Sequence, residues 1–163
     1  MDTTALRSAY KKFLDVAAAP DLGEAADGDW NADQVLAHVL SVDAATAAVA
    51  LGVASGARPT FDNRICLDRW NLDRIIAEHS GRAGLISHVR HQAAVLCDIA
   101  DQLSEQAAAV LVPSFLMSDD EVVLDQPVAL ADLVNGLAGN HVPVHTRQLA
   151  DLRPQASLSD GPE

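Results

Sequence analysis

His141 and His145 stand four residues apart in the run Gly139-Asn140-His141-Val142-Pro143-Val144-His145-Thr146-Arg147-Gln148-Leu149. A helix through that run would aim both imidazoles at one point. A shared ion demands such convergence, because Zn–N bonds are about 2.0–2.1 Å long. Residues i and i+4 of a helix are neighbours, roughly 5–6 Å apart at Cβ. In a strand the same spacing separates them by roughly 13 Å, beyond any common ion. The metal reading therefore requires helix from 141 to 145. A third donor, His38, lies far upstream in Trp30-Asn31-Ala32-Asp33-Gln34-Val35-Leu36-Ala37-His38-Val39-Leu40. One His on one helix and two on another would make a three-nitrogen site, and three protein ligands leave coordination positions open, as catalytic zinc sites do.

The elements that must position these rings are legible in the hydrophobic spacing. Leu130, Val134, Leu137, His141, His145, Gln148 and Leu152 follow the 3-and-4 rhythm of one helical face, so the pair should point where Leu137 points, inward. Pro143 interrupts that helix, lacking an N–H and crowding the carbonyl four residues back, which belongs to glycine 139. The expectation is a helix kinked at the pair rather than broken. Val35, His38, Val42, Val49 and Val53 form a second inward stripe, and Asn31 with Gln34 three residues later matches a capping box. Three separate core histidines, each bonded to a backbone carbonyl, are the bland alternative. Three His on two inward stripes, one pair at i,i+4, favour His38, His141 and His145 as metal ligands.

The Trp-x-x-x-x-x-Leu-x-His-x-Leu pattern at 30–40 and His-x-x-x-His-x-x-Gln-Leu at 141–149 resemble the two ligand segments of the DinB-like metalloprotein superfamily. The resemblance spans roughly residues 5–152 in the order of elements, and its specific content is these two motifs. It implies a four-helix bundle holding a divalent ion, zinc or nickel, on three His, which by position are His38, His141 and His145. It also implies the chemistry of that superfamily's enzymes, bacterial thiol-dependent S-transferases and the mycothiol-dependent maleylpyruvate isomerase. Two departures stand out: Pro143 lies between the paired His, and the isomerase's extra C-terminal domain has no room in this chain. Nine Arg against two Lys, with abundant Ala, point to a GC-rich genome, and were the source an actinobacterium, mycothiol would be the expected thiol.

Composition narrows the classes. The 163 residues suit one domain, taken as 1–153, and 49% hydrophobic content supports a sizeable core, while 4% aromatic content leaves the packing to small and aliphatic side chains. A net charge of −12 argues against nucleic acid as a partner, because phosphate neutralisation needs basic surface. No run reads as a bilayer span and the N-terminus lacks a signal peptide's apolar core, so a cytoplasmic protein is expected. Cys66 and Cys97 are far apart and suggest neither a thiolate zinc site nor a disulfide framework. Cys97 reads as a small apolar helix residue.

The expected architecture is all-α. A first helix carries Leu6, Tyr10, Phe13, Leu14 and Ala17, and a second runs from about Ala32 to Ala54. An irregular crossing follows, with a short helix at Asn71 to Glu78, then a long helix with Leu85, Val89, Leu96 and Leu103 inward. Alternation around Ser118-Asp119-Asp120-Glu121 predicts a short hairpin near 112–125, and Pro127 is expected to open the last helix. The tail from Pro154 is expected to be disordered. His79, His88 and His91 read as surface or rim, with His88 the one that could replace a ligand. Trp30 reads as a packing staple ahead of the cap, and Asp43 and Arg147 as ordinary solvated charges.

No Glu or Asp stands beside the His pair as in His-Glu-x-x-His, so nothing assigns a general base to a bound water. Thiolate attack needs no such base. The expectation is therefore a metal-dependent thiol S-transferase, joining a thiol such as mycothiol to a small electrophile. The alternatives are a metal-dependent hydrolase, a non-catalytic metal- or ligand-binding bundle, and a homodimerisation module.

Overall fold

The computed structural model describes residues 1–154; the tail expected to be disordered lies, from residue 155, outside the described residues. Helix α1 (Thr4–Ala17) forms where the 4-3-4 spacing of Leu6, Tyr10, Phe13 and Ala17 puts four side chains on one buried stripe. Phe13 is fully buried, worth roughly 1.5–3 kcal/mol from its apolar area alone. Helix α2 (Ala32–Ala54) starts at a capping box with both reciprocal bonds made. The Asn31 side chain accepts from the Gln34 N–H, and the Gln34 side chain accepts from the Asn31 N–H.

Burial on α2 extends well beyond the one stripe expected, taking in Leu36, Ala37, Val39, Ala47 and Ala50 as well. A helix apolar on nearly all sides belongs in the middle of a fold. The expectation that no run is long and apolar enough to span a bilayer needs correcting. These 23 residues, with mean hydropathy 1.7 over the best window, reach that length and composition. That window is 61% buried within the protein, so much of its apolar surface is spent on the core.

The crossing contains strand β1 (Phe61–Asp62), the single turn α3 (Arg64–Leu67) and α4 (Arg69–Glu78), which begins slightly before the predicted Asn71 because Asp68 caps it. Helix α5 (Gly81–Asp101) follows, burying Leu85, Val89, Ala93, Leu96, Cys97 and Ala100. After the turn α6 (Glu105–Ala108) come β2 (Leu111–Ser118) and β3 (Glu121–Ala129). The hairpin turns at Asp119 and Asp120, both with positive φ, a conformation that Asp tolerates better than most residues. It is longer than predicted and joins β1 in a sheet of order β1-β2-β3, parallel then antiparallel. The fold is thus mainly helical with a small sheet, rather than all-α. Pro127 does not open a helix: it lies in β3, directly opposite Pro113, on an edge strand where a missing N–H is tolerated.

The last helical segment has three parts: α7 (Leu130–Gly136), a π turn (Leu137–His141) and α8 (Val142–Asp151). The kink expected at Pro143 takes this form. The Val142 N–H bonds the Leu137 carbonyl five residues back, widening the helix just before the proline, which then sits in the first turn of α8 where it needs no donor. Helix α2 packs along α5, α1 lies against α5 and α8, and α2 also meets α8. That last contact brings His38 to the His pair.

Candidate metal centre

His38 on α2, His141 in the π turn and His145 on α8 form one cluster, each offering a ring nitrogen within 4.8 Å of the others. The three imidazole centroids are 4.6–5.1 Å apart. His38 is 3% exposed, and the other two are half-buried. All three positions predicted from the motifs therefore come together. His79, His88 and His91 do not join them. His79 and His88 pack edge to face with each other, and His88 is exposed.

Two of the rings are oriented from behind. His38 Nδ1 lies 2.8 Å from the Cys66 carbonyl, which can only accept, so Nδ1 carries the proton and Nε2 is left a bare lone pair. His145 Nδ1 lies 2.8 Å from Gln148 Oε1, which fixes the same tautomer. Carbonyl partners on the far nitrogen are what metal-ligating His residues ordinarily have. Trp30 adds a wall: its ring centroid stands 4.9 Å from that of His38 and 6.4 Å from that of His145, nearly parallel to the latter. The staple expected of Trp30 thus packs on the cluster itself.

Burial pushes the His38 pKa down to about 4, and the neighbouring His145 adds to the shift against the Cys66 carbonyl's opposing pull. Burial, then His145 and His38, hold His141 well below the usual imidazole range, and burial lowers His145. Neutral imidazoles are the form that binds metal.

His141 supplies the test of fit. Its Nε2 lies 3.0 Å from His38 Nε2, and its Nδ1 is buried without a partner among the described residues. If Nε2–H donates to His38, the buried Nδ1 is an acceptor with nothing to accept. If Nδ1 keeps the proton, two bare lone pairs face each other across 3.0 Å. A buried polar atom left unpaired costs about 1–3 kcal/mol. A cation between the nitrogens would turn the opposed lone pairs into ligands. The donor set of three imidazole nitrogens fits a metal ion.

Neither thiol competes for that role. Burial raises the pKa of Cys66 and pushes Cys97 up to about 11, leaving both as inert core residues. Cys66, unplaced from sequence, is buried in α3 and serves through its carbonyl.

Asp43 corrects the expectation of a solvated charge. It is fully buried on α2, its Oδ1 accepts the Tyr10 hydroxyl, and its Oδ2 has no partner among the described residues. Burial pushes its pKa up to about 8. It lies five residues from His38, about 140° around the helix, and so faces away from the cluster. Arg147 is exposed, as expected.

Two clefts flank these elements. One, of about 310 Å³, runs between α1 and α5 over Tyr10 and Cys97. The other, of about 130 Å³, lies between the segment before α2 and the α3–α4 corner. Neither is lined by a cluster histidine, but the second is lined by Trp30. Comparison with protein-family models, curated proteins and solved structures finds no match for this chain.

Proposed function

We propose that this protein is a divalent-metal-dependent enzyme of DinB-like type, a thiol S-transferase in which α1, α2, α5 and the α7–α8 segment act as the four-helix bundle. The observation that supports this most directly is the convergence of three neutral imidazoles, two of them oriented by carbonyl acceptors. When bound, a zinc or nickel ion would supply Lewis acidity, holding a small thiol such as mycothiol as its thiolate at neutral pH. The chain's own part is to hold His38 and His145 in the ligating tautomer, to keep all three imidazoles uncharged by burial, and to pack Trp30 against His38 and His145. The cluster contains no carboxylate, so the residues present favour thiolate attack on a small electrophile over activation of water by a general base.

The test is metal content by plasma mass spectrometry on tag-free protein, with His38→Ala and His145→Ala variants shown to be folded by circular dichroism. Near-stoichiometric metal in the parent, lost from both variants, supports the site and warrants a screen of thiols against electrophiles. Absence of metal after incubation with zinc and nickel, or retention in both variants, overturns it. A non-catalytic metal-binding bundle is the second reading, favoured by the near-complete burial of His38. Cobalt substitution separates the two: a thiol-induced change in the visible spectrum supports catalysis, and an unresponsive spectrum supports the sealed site.

A further inference from the structure

The smaller cleft shares a wall with the histidine cluster, and its chemistry differs from the cluster's. Trp30 and Gln34 both line it, together with Leu67, Leu72, Asp29 and Arg69. Gln34 precedes His38 by one turn of α2, so the cleft opens about 5–6 Å along the helix from the first ligand. Gln34 is 8% exposed and spends its Oε1 on the Asn31 N–H. Its Nε2 donates to no described residue and is not among the sealed polar atoms, so it keeps free N–H donors at the cleft. Arg69 is exposed and, like Arg58, Arg90 and Arg147, makes no ion pair among the described residues, unlike Arg7, Arg64, Arg74, Arg82 and Arg153. A guanidinium without an ion pair, an amide with spare donors and an indole, all lining one small cleft, make a donor set for one small planar anion.

We propose that this cleft is a subsite for the carboxylate of a small substrate, with Arg69 as its charged partner, Gln34 as a second donor and Trp30 as the platform along which the rest of the molecule lies. The volume of about 130 Å³ suits a short acid arm rather than a whole cofactor. Asp29 lines the same cleft and repels any anion there, so the Arg69 charge is what admits a carboxylate. The inference rests on the metal-enzyme reading for its place in a reaction, but carboxylate binding itself needs no ion.

That separation decides the experiment. Trp30 and Trp70 are the two tryptophans of the chain, and Trp70 is 70% exposed, so Trp70→Phe leaves Trp30 as the fluorescent reporter. Metal-free Trp70→Phe protein is titrated with propionate and, at matched ionic strength, with propionamide. Saturable quenching by propionate alone, weakened at least tenfold by Arg69→Gln and partly restored by Arg69→Lys, supports the subsite. Equal responses to acid and amide, or an unchanged propionate affinity in Arg69→Gln, overturn it. Metal content of Arg69→Gln is measured in parallel and is expected to match the parent. A chain that binds propionate but no metal would sink the metal reading and leave the subsite standing, and the converse result would do the reverse.

Discussion

Replacing Asp43 by Asn should remove a large pH dependence from the stability of this protein. The carboxyl is fully buried, accepts the Tyr10 hydroxyl through Oδ1 and has an unpartnered Oδ2. Burial raises its pKa from 3.8 to about 8 in the folded state. The folded chain therefore holds this proton more tightly than the unfolded chain. The stabilisation it brings is complete below pH 3.8 and is lost progressively as pH rises to about 8. Within that window each pH unit costs roughly a factor of ten in the folding equilibrium, so pH 5 to 8 should cost about 4 kcal/mol. Asn keeps an acceptor for Tyr10 and cannot ionise, while its unpaired amide adds a pH-independent penalty of about 1–3 kcal/mol. The assay is urea denaturation of both proteins at pH 5, 6, 7 and 8 and constant ionic strength. The buried histidines titrate in both proteins and cancel in the difference. Parent stability minus variant stability should fall steadily across the series. A flat difference, or one that grows with pH, would show that Asp43 is already ionised at pH 5 and refute the argument.

Gln148→Leu should free the His145 ring to change tautomer and weaken metal binding by roughly ten- to a hundredfold, read by competition with a chelating dye. Zinc at a hundred times its dissociation constant should stabilise the parent by about 2.7 kcal/mol and His141→Ala by nothing, read by thermal melts. Asn31→Ala removes one half of the α2 capping box and should cost about 1 kcal/mol, measured in denaturant, with metal content unchanged. Phe13→Ala opens a cavity in a fully buried site and should cost about 3–5 kcal/mol in the same assay.

Spacing and local chemistry alone determined much here. The i,i+4 pair required helix at 141–145, and helix is what forms there, in the π turn and α8. The Asn31–Gln34 cap marked the start of α2 to the residue, because a capping box is a bond between groups three residues apart. The stripe of α1 was equally readable, as was the existence of a hairpin, although not its full length or its pairing with β1. Pro127 misled because a helix start and an edge strand tolerate its missing N–H equally, and only the pairing with β2 distinguishes them.

What the tertiary structure alone decided is how separate elements meet. Periodicity says which way a side chain leaves its own helix, but not how far it stops from a side chain on another. The 3.0 Å approach of His38 and His141, separated by 103 positions, depends on how α2 lies against the last helical segment. So do the Cys66 carbonyl behind His38, supplied by a turn whose place in the sequence was opaque, and the packing of Trp30 on two of the rings. Asp43 shows the same limit in reverse. Its charge suggested solvent, and the helices closing around an alanine- and valine-rich α2 left it none. Local sequence sets directions and caps; the contacts among α1, α2, α5 and α8 set the distances and the burial on which the geometry of the histidine cluster and its pKa values depend.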